Sequence, residues 1–437
     1  MPAIHGSPSR LDDQGHPQSC VIEADLYKPH AASATNRVPT ILTTNGFGGS
    51  YGGQIQFATA AADPRVVTLV PLITWNDLRY SLAPNNTAST AGVTYANETP
   101  GSEKIGWSSL FFGVGIADGV QGAGIDPARE VGCPNFVLQA CEAKATLDTL
   151  GYPSAQTYAL TDRVSAGHYL DRVTVPTFLI QGQNDTLLNL QEAVATYQGL
   201  KAHHVPVSMA WQSWGHSGGM KGNTGAAPGE LDLTGAHIED TYLGLRIKNW
   251  FDHYLKGVTT APTGPEFSFF RDWVDYTGTA TPAYGTASSY PVGTPRSYYL
   301  SGAGDLVSAP AAVRPGSVSW SNPGLGAFGS YSEVSGLEGQ IPPGSLPANT
   351  TTPYDAPGTL GAWTTQALTS DTSIVGVPTL DVTFTSTAVA AAQPAGHRLR
   401  LVLASTDAAY KNAYAVQPVT VTANPLAPAV LRIPVVR

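Results

Sequence analysis

Cysteine, basic residues and long apolar runs are all scarce in this chain, and each scarcity excludes something. The chain has only three cysteines in 437 residues, so they cannot all pair. No histidine pair stands at ligand spacing near them, so no zinc or other metal site is expected. Only 23 lysines and arginines stand against 32 acidic residues, for a formal net charge of -9. No basic stripe is available to neutralise phosphates, which argues against nucleic acid or a membrane surface as partner. No apolar run approaches the roughly 20 residues needed to cross a bilayer. The first 19 residues are polar, and no signal peptide is visible in them.

What is abundant is glycine and proline, 46 and 34 positions, which points to many turns and much β structure. The length suits two or three domains with a large buried core. Little lysine and much Thr, Ser, Gly and Ala is the composition of an exported protein, so an extracellular or cell-envelope location with a truncated start is the expectation. Cys133 and Cys141, with seven residues between them, are placed to close a small disulfide loop in an oxidising compartment, leaving Cys20 over; two buried thiols are the alternative.

The stretch with most chemistry in it is Gly48-Gly49-Ser50-Tyr51-Gly52-Gly53. It lies between a strand pattern at residues 38–44 and a helix pattern from Gly53 to Asp63, where Pro64 should end the helix. This is the G-x-S-x-G nucleophile elbow, in which small residues allow a turn tight enough to expose the serine. A second match at Gly215-His216-Ser217-Gly218-Gly219 runs into loop. Before the elbow, residues 20–27 read as an early strand. After it, residues 66–73 read as a strand buried on both faces, giving a βαβ unit.

Residues 76–172 are irregular with helical pieces, as a cap insertion would be. The sheet resumes at 175–180, which leads into Asp185. Asn189, with Glu192 three residues on, caps a helix. The alternating Val207, Met209 and Trp211 then lead to His216, and a helix from about Asp240 is stopped by Gly257. Beyond residue 265 the helical period disappears and short alternating runs take over, an all-β module. The expected layout is therefore a parallel α/β sheet from 1–75 and 173–260, a helical cap at 76–172, and a β-sandwich or jelly roll, galactose-binding-like, at 266–437.

A serine needs a histidine to take its proton and a carboxylate to fix that histidine. Ser50, Asp185 and His216 stand in the order Ser, Asp, His, the last two each following a strand, as in an α/β hydrolase. The bland readings are a surface or capping acid for Asp185 and a turn residue for His216. His168, His237 and His253 fall in the cap or on helical segments, and His203 and His204 at a helix end.

The runs from Leu42 to Ser50, Ile73 to Leu78, Gln181 to Leu187, Trp211 to Gly219 and Gly396 to Leu401 resemble the X-prolyl dipeptidyl-peptidase and cocaine-esterase-like serine hydrolases. The resemblance covers nearly the whole chain. It implies an α/β-hydrolase domain, a helical cap and a C-terminal jelly roll that together cleave X-Pro peptides or acyl esters and amides, without a cofactor. It assigns Ser50 as nucleophile, Asp185 as acid and His216 as base, with backbone N–H groups near Phe47 and at Tyr51 as the oxyanion hole. One departure stands out. The family's oxyanion loop and its elbow are fused here into Asn45-Gly46-Phe47-Gly48-Gly49-Ser50-Tyr51-Gly52-Gly53, so two βαβ units, roughly 60 residues, are missing and the sheet should be incomplete. The competing expectation is an inactive relative, or a non-catalytic carbohydrate-binding or adhesive protein that works through its β module.

Overall fold

In the computed structural model of the chain, the described residues are most of 52–84, 101–216, 225–321, 355–381 and 418–436, with short strands and single positions elsewhere. Ser50, Phe47 and Tyr51 lie outside them, as does most of the strand expected at 38–44. Of the expected strand at 20–27, Val21–Ile22 is described, paired antiparallel with Ile4–His5.

The first helix, α1 (Gly52–Ala62), begins within the last two residues of the elbow sequence. Its last turn closes with Asp63 N–H donating to Thr59 O at 2.8 Å, and Pro64 prevents continuation. The apolar segment that follows does not form a full strand. Leu69 and Leu72 each make one isolated parallel bridge, to Thr177 and Ile180, because Pro71 between them has no N–H to give to a ladder. The carbonyls of Leu69 and Pro71 still accept from Phe178 and Ile180, so the segment lies along the sheet edge. At its end Ile73 adopts φ 52°, an uncommon conformation for a β-branched residue.

Between this segment and the next strand lie the helices α2 (Leu78–Leu82), α3 (Ile105–Gly122), α4 (Leu138–Leu150) and α5 (Ala155–Asp162), in the stretch expected to form a cap. Ser154 caps α5 by accepting from Thr157 N, and Gly151 ends α4 in the left-handed conformation at φ 78°, which costs glycine little. Cys133 and Cys141 are joined as a disulfide, Cα to Cα 6.0 Å. Among the described residues no helix is long and apolar enough to cross a membrane.

The chain then returns to the sheet through β1 (Thr177–Gly182), α6 (Leu190–Ala202), β2 (Val207–Gln212), α7 (Tyr242–Tyr254), β3 (Phe267–Phe270) and β4 (Tyr284–Ala287). The strands pair in that order, parallel from β1 to β3 and antiparallel from β3 to β4. Residues 267–287, on the far side of the boundary expected at 266, thus belong to the α/β sheet.

Side chains alternate across this sheet as the two-residue period requires. Leu179, Met209, Trp211, Phe267 and Phe269 pack on the side of Phe57 in α1 and Leu190, Val194 and Tyr197 in α6. Phe178, Ile180, Ala210 and Phe270 pack on the other side, against Leu243, Ile247 and Trp250 of α7. All six residues of β1 and of β2 are buried, as in a parallel sheet covered on both faces. Each large apolar side chain so buried contributes about 1.5–3 kcal/mol. Sheet and helices on both faces make the α/β layer expected from the sequence.

The remaining strands are antiparallel. One sheet runs in the order Leu306–Val307, Thr294–Leu300, Val430–Val436, Thr372–Gly376, Val389–Gln393. Gly316–Ser321 pairs Pro418–Ala423, and Leu360–Thr364 pairs Arg400–Ala404. Their inward residues, among them Tyr298, Leu300, Trp320, Trp363, Ile374 and Leu431, form one core. This module is not separate from the α/β part, since fully buried Val375 and the partly buried Tyr290, Val377 and Val436 pack into the α1–α6 core.

Candidate active site

The two loops at the C-terminal ends of β1 and β2 are tied together before any catalytic side chain is considered. Gln183 N–H donates to Gln212 O at 2.8 Å, and the Asn184 side-chain amide donates to Ser213 O at 2.6 Å. The approach is close enough that a Cβ on Gly182 would lie 2.0 Å from the Trp214 carbonyl oxygen. Parallel pairing therefore brings the residue after each strand to the same place, which is the usual ligand site of such sheets.

Asp185 and His216 meet there. His216 Nδ1 is 3.0 Å from Asp185 Oδ2, and His216 N–H donates to the same oxygen at 3.2 Å. The other oxygen, Oδ1, accepts from Leu187 N–H at 3.0 Å and Leu188 N–H at 2.7 Å. The carboxylate side chain is fully buried and the imidazole 7% exposed. A buried carboxylate with four N–H partners is held in one orientation, and it can fix the histidine so that Nδ1 carries the proton and Nε2 is the basic atom. His168, by contrast, pairs with the half-exposed Asp162, and His253 Nδ1 faces the Ala261 carbonyl.

Three further ionisable groups support this place. Glu230, fully buried, accepts from Ser213 N–H at 2.8 Å, from the Ser213 hydroxyl, from Ala227 N–H at 2.9 Å and from Tyr284 OH at 2.7 Å. It thereby anchors the loop that carries His216. Glu192 does not cap α6 beside Asn189, which accepts from Gln191 N by itself. Glu192 instead accepts from Asn76 N–H at 2.7 Å, Asp77 N–H at 3.0 Å and Ser81 Oγ at 2.5 Å. Burial pushes its carboxyl up to about 8 against these donors. Lys104 is also buried, donating to the carbonyls of Thr186 at 2.8 Å and Leu187 at 3.0 Å. Its ammonium is pushed down by burial to about 8, opposed by the fields of Asp185 and Glu192.

The sequence pointed to Asp185 and His216, and these two stand together. Ser50 and the expected oxyanion donors Phe47 and Tyr51 lie outside the described residues. What is described is the base of their helix, where Gly53 sits so close to Thr74 that a Cβ would lie 2.8 Å from Thr74 Cβ. Lys104 and Glu230 carried no motif and Glu192 only that of a helix cap, so the importance of all three follows from burial.

A sequence model of the X-Pro dipeptidyl-peptidase (S15 family) matches residues 44–218, a span that includes Ser50, Asp185 and His216. Among solved structures, an aminopeptidase from a marine sediment archaeon, Thaumarchaeota archaeon, superposes with a TM-score of 0.53 at 12% identity, covering 89% of this chain and 75% of that one. A CocE/NonD family hydrolase from Staphylococcus aureus superposes with a TM-score of 0.51 at 11% identity, covering 89% of this chain and 70% of that one. No curated protein sequence matches. Over the stretch that carries the site, less than half of the chain, the sequence is thus similar to the X-Pro dipeptidyl-peptidase (S15) family, and the solved structures share its fold.

Proposed function

We propose that the chain is a serine hydrolase that cleaves X-Pro peptides or acyl esters and amides through an acyl-enzyme, with Ser50 as nucleophile, His216 as base and Asp185 as the group that orients it. The observation that supports this most is the buried contact of 3.0 Å between Asp185 Oδ2 and His216 Nδ1, at the ends of two adjacent parallel strands. In this reading Ser50 Oγ attacks the acyl carbon while its proton passes to His216 Nε2. The tetrahedral intermediate collapses when the imidazolium returns that proton to the leaving amine or alcohol. Water then repeats the sequence on the acyl-serine, with the acid released and Ser50 regenerated. Backbone N–H groups near Phe47 and at Tyr51 stabilise the oxyanion.

The test is a fluorophosphonate probe on the folded protein, alongside hydrolysis of Ala-Pro and short-chain acyl chromogenic substrates. Labelling should be lost in Ser50→Ala, and turnover in His216→Ala. A folded protein that neither labels nor turns over any of these substrates would sink the proposal.

A further inference from the structure

Lys104 and Asp185 contact opposite ends of the same two peptide units. The peptide joining Thr186 to Leu187 gives its carbonyl to Lys104 Nζ at 2.8 Å and its N–H to Asp185 Oδ1 at 3.0 Å. The peptide joining Leu187 to Leu188 does the same, at 3.0 Å and 2.7 Å. In a trans peptide C=O and N–H point in opposite directions. Both dipoles therefore lie with the oxygen toward an ammonium and the hydrogen toward a carboxylate, in a water-poor site where such chains reinforce each other. The connection is held from outside as well. Lys104 N–H donates to Leu82 O at 2.7 Å, and Trp107 Nε1 donates to Thr186 Oγ1 at 3.2 Å.

Lys104 stands one residue before α3, so it belongs to the cap and not to the sheet that carries the acid. We propose that Lys104 is a positioning residue for the acid–histidine pair: through two peptide units it fixes Asp185 Oδ1, and so aims Oδ2 at His216. The cap is then part of the catalytic apparatus as well as its cover. The kinetic part of this rests on the serine-hydrolase reading, while the geometric part does not.

The experiment compares wild type with Lys104→Met and Lys104→Gln, both below their melting temperatures. The proton between His216 Nδ1 and Asp185 should give a low-field NMR line, identified by its absence in His216→Ala. In both Lys104 variants that line should shift or vanish. Turnover number should fall roughly tenfold or more, the scale on which outer groups orienting a histidine act, with KM within about twofold, since Lys104 touches no substrate. Should the methionine variant not fold, the glutamine variant, which keeps a donor but no charge, decides. An unchanged line and turnover number in a folded variant overturns the proposal. So does a wild-type protein without the line, which then has no ordered pair to position. Should wild type turn over no substrate, the line alone decides, so failure of the hydrolase reading and failure of this proposal are told apart.

Discussion

Asp185 occupies the space that a side chain on Gly215 would need. A Cβ on Gly215 would lie 2.5 Å from Asp185 Cβ and 2.8 Å from Oδ2, the oxygen that faces His216. Gly215→Ala should therefore push the carboxylate off the imidazole without removing any group. Displacements near 1 Å cost about 100-fold in rate, so on the serine-hydrolase reading turnover of an acyl ester should fall by that order, with the crowding also costing about 1–3 kcal/mol of stability. Wild-type turnover in this variant would show that the pair is not used.

Asp185→Asn preserves size but replaces an acceptor that can fix the Nδ1 proton. On the serine-hydrolase reading the turnover number should fall about 10^4-fold, with KM little altered, because the wrong tautomer is favoured. Steady-state kinetics at saturating substrate decides this, and a loss of less than about tenfold speaks against His216 as base.

Glu230→Ala should destabilise the fold as well as the site. It would remove the acceptor of the buried Ser213 N–H, of the Ser213 hydroxyl and of the Tyr284 hydroxyl, and one of the two acceptors of the part-buried Ala227 N–H. A buried donor left without its acceptor costs about 1–3 kcal/mol. The denaturant midpoint should fall accordingly, and Glu230→Gln should lose less.

Stability should pass through a minimum near pH 8. The Glu192 carboxyl is raised from 4.5 to about 8 in the fold, so the native state binds the extra proton and stability is lost as pH rises across that window. The Lys104 ammonium is lowered from 10.5 to about 8, so above 8 the unfolded chain holds the extra proton and stability returns. Each limb is worth at most a few kcal/mol at ~1.4 kcal/mol per unit of pKa. Urea midpoints at about pH 5, 8 and 10 should trace the dip, with Glu192→Gln flattening the acid side and Lys104→Met the alkaline side. A midpoint that is highest near pH 8 contradicts this.

Reduction of Cys133–Cys141, or Cys133→Ser with Cys141→Ser, should loosen the start of α4. The bond closes a loop of sequence separation 8, for which the chain-entropy model gives about 2–3 kcal/mol. Faster amide exchange across residues 133–150, with the β1–β2 region unaffected, is the expected result. Uniform change throughout would mean that the cap and the sheet unfold as one unit.

The α/β layer, the helices of the 76–172 stretch and the meeting of Asp185 with His216 were legible because each depends on local pattern or chain order. Asp185 and His216 follow apolar runs that could only be buried strands, and parallel pairing then makes them neighbours. Glu192 was misread because Asn189 three residues before it is a good capping signal, whereas its actual partners, Asn76, Asp77 and Ser81, are over 100 positions away. The segment ending at Ile73 read as a continuous strand because apolarity does not register the missing N–H of Pro71. Phe267–Phe270 and Tyr284–Ala287 were assigned to the β module because a short alternating run looks alike at the edge of either sheet. Lys104 and Glu230 gave no signal because a lone charge reads as surface until its surroundings are known.

Val375 and Val436 share one apolar cluster with Phe57 and Tyr197, so side chains far apart in sequence close the same layer. Contacts of such separation carry a large loop-closure entropy before they stabilise anything. That layer should therefore consolidate late in folding, after the strands that carry Val375 and Val436 have paired.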